Sequence, residues 1–307
     1  MKRRELLKTS AAFGLIAAFP RTTDLLADPA SPGWALAPAD NANPLKPPAS
    51  GSIPVAFLIS RGAVLIDFVG PWEVFSNLMM GGRMDLFKTY TIAETLSPIQ
   101  ASGGMKIVPN FTLKDAPEPK VIVIPAQSDL SPAAIAWVRN SSKTADVTLS
   151  VCTGAFQLAQ TGLLDGRSAT THHGAYVDLE TAFPKVKVVR GARFVEEGNV
   201  ASSGGLSSGI DLAFRVVERY FGSYAAEQAA FDMEYQGRGW TNPNSNSVYA
   251  TARPPVDGHI YCPVCSMEVD PATTVVSTYS GKKYSFCSGQ HKQQFDAAPA
   301  KFLGAAK

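Results

Sequence analysis

The stretch ADVTLSVCTGAFQLAQTG, Ala145–Gly162, runs from a strand directly into a helix and decides the fold class. Ala145–Val151 has strand length and runs straight into Cys152. Thr153–Gln160 has helical character, and Gly162 stops it. Working outward, IPVAFLI (Ile53–Ile59) and KVIVI (Lys120–Ile124) are two more strands, of the apolar kind buried on both faces. Ser131 and Pro132 make the cap and first turn of a helix through Arg139. Pro71 is expected to open a helical segment, Trp72–Met80, closed by Gly81-Gly82. Val186–Val189 and Arg193–Val195 are expected to pair as a hairpin, and Ser207–Tyr220 is an amphipathic helix with Gly222 behind it. Buried strands that alternate with helices predict an α/β fold, a doubly wound parallel sheet over roughly residues 53–235.

The chain has 307 residues, enough for one substantial domain and an accessory one. With 45% hydrophobic and 18% charged residues it is a core-forming chain. Its net charge of +2 shows no basic run, so no nucleic-acid partner is expected. The first residues, MKRRELL, carry the pair Arg3 and Arg4, and Thr9–Phe19 is free of charge. This resembles a twin-arginine export signal; a basic amphipathic first helix is the alternative. Small-residue cleavage sites lie at Ala35-Leu36-Ala37 and Ala37-Pro38-Ala39. The expected layout is a signal peptide over 1–39, a disordered segment over 40–52, the α/β domain over 53–235, a linker over 236–257 rich in Asn, Ser and Pro, and a small module over 258–307. Such a protein is periplasmic or otherwise exported, with no stable membrane anchor after processing.

Cys152 stands at the sharp turn between strand and helix. A thiol there feels the partial positive charge of unpaired amides, so a lowered pKa and a nucleophilic role are expected. The turn has the form of a nucleophile elbow with Cys in place of Ser, and Gly154 lets backbone approach closely. A buried small hydrophobe is the alternative role for Cys152. Asp67 follows the first strand at the crevice end of the sheet, where a carboxyl can exchange a proton with the thiol, or else serve only as a cap before Pro71. Glu73 matches a first-turn charge, and His172 a histidine satisfied at a strand end.

SVCTGAFQLAQTGLLDGRSATTH (Ser150–His172), DFVGPWEVF (Asp67–Phe75) and VASSGGLSSGIDLAFRVVERYFG (Val200–Gly222) resemble the ThiJ/PfpI superfamily, in its branch of isonitrile hydratases and amidase-like domains of AraC-type regulators. The resemblance implies a flavodoxin-like sheet of the class I glutamine amidotransferase kind, usually dimeric and needing no cofactor. It implies catalytic roles for Cys152, Asp67 and Thr153, with Gln127, Gly154 and His172 on the substrate side. Relatives usually carry Pro-Gly-Gly where this chain has Pro125-Ala126-Gln127. If those amides need φ > 0, Ala126 and Gln127 are strained by about 1 kcal/mol or more each. A rebuilt loop with Gln127 as side-chain donor is the other outcome.

Cys262-Pro263-Val264-Cys265 is followed, after 21 residues, by Cys287-Ser288-Gly289-Gln290-His291. Three thiolates and one imidazole make a tetrahedral set for zinc, with copper(I) also open. A disulfide from Cys262 to Cys265 or Cys287 is the alternative. A segment this short needs a metal or disulfide to fold. Its sequence resembles a YHS domain, in which His291 takes the place of a last cysteine. His259 is expected to be an exposed bystander. Two functions follow: a cysteine-dependent hydratase or amidase-like hydrolase acting on a small molecule, which by resemblance turns an isonitrile into an N-substituted formamide, or a non-catalytic protein for metal or redox handling. Transcription regulation is disfavoured, because no helix-turn-helix segment follows the α/β domain.

Overall fold

In the computed structural model, which describes residues 43–303, the main sheet is built from strands β1 (Ile53–Leu58), β2 (Phe87–Ala93), β3 (Phe111–Thr112), β4 (Val121–Ile124), β5 (Val147–Ser150), β6 (Phe194–Glu197) and β7 (Val200–Ser203). Their order is β6-β7-β5-β4-β1-β2-β3, and every neighbouring pair is parallel except β6 with β7. The signal peptide expected over residues 1–39 lies outside the described residues.

The strands alternate between two cores, as the two-residue period of a strand requires. Val55, Phe57, Val121 and Val123 face helices α1 (Leu65–Asn77), α5 (Ser208–Phe221) and α6 (Ser223–Asp232). Ala56, Leu58, Ile122 and Ile124 face α2 (Pro132–Ser141), α3 (Gly154–Gln160) and α4 (Tyr176–Ala182). Burial on both faces is why β1 and β4 are apolar without interruption. Each fully buried Val, Ile, Leu or Phe contributes about 1.5–3 kcal/mol. Strand order reverses between β1 and β4, so a crevice opens beyond their carboxyl ends.

Three local expectations are corrected. Helix α1 begins at Leu65 and contains Pro71 rather than opening at it. Pro71 cannot bond the Asp67 carbonyl one turn back, yet the helix continues because Phe68, Val74 and Phe75 are buried along it. The hairpin forms between β6 and β7 around Gly198, whose φ is +68°, whereas Lys187–Val188 pairs in parallel with Ser168–Ala169. Gly198-Asn199 is the two-residue turn that sets this pairing.

The third correction concerns the linker. Residues 236–257 are anchored on α5 by Trp240, 3% exposed, whose ring lies 5.0 Å from that of Phe214. Asp211 accepts from Trp240 N at 3.2 Å, and Arg193 donates to Asn246 Oδ1 at 3.2 Å. The segment joins the two domains as a linker, yet its polar groups bond Asp211 and Arg193 of the α/β domain. The described part of the expected disordered segment, residues 43–52, differs likewise. From Asn43 on they are held by Arg219, whose Nε donates to Asn43 O at 2.9 Å and whose carbonyl accepts from Leu45 N at 2.7 Å.

The C-terminal module holds two hairpins, β8 (Ile260–Tyr261) with β9 (Glu268–Val269) and β10 (Val276–Tyr279) with β11 (Lys282–Ser285), then α7 (Gly289–Ala297) and α8 (Pro299–Leu303). Phe286, Phe295 and Phe302 form its small core, and Val177 of α4 completes it. Among the described residues no helix is long and apolar enough to cross a membrane.

Trp240→Ala is expected to remove about 3–5 kcal/mol, the usual loss for a buried Trp. In thermal denaturation followed by circular dichroism, the midpoint should fall by on the order of 10 °C. Val248→Ala, at a 74% exposed position of the same segment, should leave it within about one degree.

Candidate functional site

Cys152 closes β5 with φ at +59°, a left-handed conformation that costs a non-glycine residue about 1–3 kcal/mol. Its surroundings hold it there. Cys152 N donates to Gly204 O at 3.0 Å, and its carbonyl accepts from Thr171 Oγ1 at 2.9 Å. Two residues on, a Cβ at Gly154 would lie 2.2 Å from Ile124 O and 2.8 Å from Pro125 C. The elbow therefore rests directly on the end of β4, which only glycine permits. The thiol is turned toward the backbone N–H groups of Leu206 and Thr153 and the Thr153 hydroxyl. Leu206 has positive φ as well, +37°, so both loops that supply an N–H are strained at the sulfur.

Asp67 lies in the first turn of α1, fully buried. Its Oδ2 accepts from Ala126 N at 3.1 Å, its Oδ1 is buried without a conventional partner, and the Cys152 thiol donates toward the carboxyl group. Desolvation pushes Asp67 up to about 7, against the pull of the Ala126 N–H and the Cys152 thiol. Burial pushes Cys152 up to about 11, and the charge of Asp67 adds to this, against the donors from Leu206 and Thr153. The expectation of a low-pKa thiol is thus reversed. Helix α3 has only seven residues, and the helix-terminus effect of about 0.3–1 kcal/mol is outweighed by desolvation beside a carboxylate. The pair works as a neutral thiol with a base at hand, not as a standing thiolate.

The loop after β4 is not strained, since neither Ala126 nor Gln127 has positive φ. Ala126 supplies the N–H that holds Asp67. The Gln127 side-chain amide is bonded to backbone: its Oε1 accepts from Ser60 N and its Nε2 donates to Leu58 O at 3.0 Å, while its carbonyl accepts from Gln157 Nε2 at 3.1 Å. His172 accepts from Gly174 N at Nδ1, 3.1 Å, and its ring occupies the space a side chain on Gly205 would need. Burial lowers its pKa, so it is neutral at pH 7. With His173, Tyr176, Leu206 and Tyr249 it lines a cleft of about 210 Å³. Glu73 is exposed and bonds Asn77, away from the thiol. Leu206, His173 and Tyr249 were missed from sequence, although Gly204-Gly205 marks a close backbone approach there.

In the module, Sγ of Cys262, Cys265 and Cys287 and a ring nitrogen of His291 all lie within 4.8 Å of one another. Cys265 Sγ is 3.6 Å from Cys287 Sγ, and His291 Nδ1 is 3.0 Å from Cys287 Sγ and 3.6 Å from Cys262 Sγ. A tetrahedral zinc with Zn–S of ~2.3 Å sets an S···S edge of ~3.8 Å, so the donor set fits such an ion. The cysteines are free, without a disulfide. The Cys262 thiol is held below the usual thiol range by a hydrogen bond from the Cys265 thiol and by backbone N–H groups of Cys287, Cys265 and Val264, against desolvation. His259 is apart from the cluster and pairs with Glu268.

The DJ-1/PfpI family model matches residues 54–219 and the YHS domain model residues 260–306. The chain is 29% identical over 189 residues to isonitrile hydratase of Pseudomonas putida, covering 60% of this chain and 79% of that one. It is 26% identical to the HTH-type transcriptional regulator CdhR of Pseudomonas aeruginosa, covering 57% of this chain but only 52% of the regulator. A crystal structure of a ThiJ/PfpI family protein from Pseudomonas syringae superposes with a TM-score of 0.54 at 25% identity, over 68% of this chain and 85% of that one.

Asp67→Asn removes the charge that opposes the thiolate, so the Cys152 midpoint, followed by peptide-resolved alkylation against pH, should fall by on the order of one unit. Stability carries a second signature. The folded-state pKa of Asp67 is raised from 3.8 to about 7. Its contribution is therefore full below pH ~4 and lost as pH rises through ~7. Denaturant titrations should show this slope in the wild type and a flat profile in Asp67→Asn. An unchanged thiol midpoint would separate the two groups.

Proposed function

The chain belongs to the DJ-1/PfpI family, and from that premise we propose that it is an exported cysteine-dependent enzyme that adds water to a small isonitrile, coupled to a zinc-binding YHS module. The observation that carries this reading is the left-handed Cys152 with its thiol against the buried Asp67 carboxyl and beneath two N–H donors.

The chemistry follows from the pair. Asp67, with a pKa of about 7, takes the Cys152 proton as sulfur bonds to the terminal carbon of R–NC, then delivers it to that carbon to give S–CH=N–R. Water adds to the same carbon, and Asp67 moves a water proton to nitrogen. Sulfur then leaves, the remaining hydroxyl proton returns through Asp67 to Cys152, and R–NH–CHO is released. The Leu206 and Thr153 N–H groups and the Thr153 hydroxyl stabilise negative charge that builds at sulfur. A hydrolysis of amide type uses the same groups. The homology to isonitrile hydratase supports the first version.

Export through the Arg3-Arg4 segment, which moves folded proteins, lets Cys262, Cys265, Cys287 and His291 take up metal in the reducing cytoplasm. A bound zinc supplies structural cross-linking there. The second reading, a non-catalytic protein for metal or redox handling, draws on the Cys/His cluster and on a Gln127 whose side-chain amide is taken up by Leu58 O and Ser60 N.

Purified chain incubated with an alkyl isonitrile should release the N-substituted formamide, detected by mass spectrometry. Cys152→Ala should abolish it and Asp67→Asn should lower kcat at least 100-fold, within the range of lost acid–base catalysis. No formamide from the wild type, with metal bound in the module, would favour the second reading.

A further inference from the structure

We propose that the α/β domain is part of the metal centre: Asp178 of α4 is the outer carboxylate that orients His291 of the module. The proposal rests on the metal reading of the Cys/His cluster and goes beyond it by assigning a residue of the other domain.

The imidazole is turned so that Nδ1 enters the cluster, 3.0 Å from Cys287 Sγ. A neutral ring that offers Nδ1 to a cation carries its proton on Nε2. Among the described residues Nε2 makes no hydrogen bond, and the carboxylate facing it is Asp178, with Oδ1 at 3.9 Å. His291 is 14% exposed and Asp178 42%, so the acid side chain has room to close that gap by rotation.

Helix α4 has little freedom to be elsewhere. Leu179 is buried in the core of the α/β domain, while Val177 is buried in the core of the module. Asp178 stands between these two anchors. On the same helix Glu180 accepts from Lys301 of α8, and the Arg190 guanidinium lies over both Tyr176 and Phe302, at 5.5 and 5.3 Å. Just before α4, a Cβ on Gly174 would lie 2.9 Å from Cys265 O, so this domain also backs the peptide of a second ligand. A metal-binding histidine commonly gives its other N–H to a carboxylate, which fixes the ring and raises its basicity, and loss of that partner weakens metal binding ~10–100-fold.

The test uses the full chain and zinc affinity from competition with a chromophoric chelator. Asp178→Ala should bind zinc ~10–100-fold more weakly, and Asp178→Glu should regain most of the loss. Glu180→Gln, which disturbs the Lys301 contact without facing His291, should keep wild-type affinity. With cobalt in place of zinc, the d–d bands should shift in Asp178→Ala and return in Asp178→Glu. Wild-type affinity and spectrum in Asp178→Ala would overturn the proposal, as would an equal loss in Glu180→Gln, which would assign the effect to docking. A wild-type chain that binds no zinc would overturn the metal reading with it.

Discussion

The contact of Gly154 with the backbone at Ile124 and Pro125 is the constraint on which the Cys152–Asp67 site depends. With no side chain at 154, the turn after β5 lies against the end of β4. That fixes Cys152 in its left-handed conformation and brings it beside the Ala126 N–H that holds Asp67. A larger residue at 154 would have to push backbone apart, because carbonyl atoms, not flexible side chains, fill the space. The strain at Cys152 and Leu206 is borne by strands whose residues are buried on both faces. Rigid strands thus hold the loops whose polar groups converge on one sulfur.

A second arrangement ties the cleft to the rest of the chain. Asp211, fully buried on α5, accepts from Arg193 Nε at 2.6 Å, from Tyr235 Oη at 3.2 Å and from Trp240 N at 3.2 Å. One carboxylate therefore fastens the segment after the α/β domain to β6 and α5. That segment carries Tyr249, whose ring stacks on His173 at 5.1 Å and forms a wall of the cleft. The Arg193 guanidinium is paired with Asp211, so it brings no free charge into the cleft. Removing Asp211 alone would leave a part-buried cation without its carboxylate, the costly way to break such a pair.

Much of this was legible in the sequence, for physical reasons. β1 and β4 announced themselves because strands buried on both faces are apolar without interruption, β5 by its strand-length run into a helix, and Cys152 was marked by the turn that follows. The Cys/His spacing gave the whole donor set. β2 was missed because FKTYTIA mixes polar with apolar positions, with Lys88 exposed near its start and Tyr90 to Ala93 buried. α4 was missed because seven residues hold too few turns to show a period. Pro71 and the Asn-rich segment misled because local composition was overruled by tertiary packing, through Phe68 and Phe75 in one case and Trp240 in the other. The ionisation of Cys152 was least legible. Position at a helix start argued for a lowered pKa, and only the fold shows that burial and Asp67 reverse it.

Cys152 and Asp67 form one pair, a protonated thiol beside a carboxyl that ionises near neutrality. Infrared difference spectra of the wild type against Cys152→Ser and Asp67→Asn, taken across pH, measure both protons directly. An S–H stretching band from Cys152 should persist well above pH ~8.5, the value of a free thiol, and a protonated-carboxyl band from Asp67 should disappear near pH 7. An S–H band already absent at pH 7, with Asp67 ionised down to pH 4, would contradict this pairing.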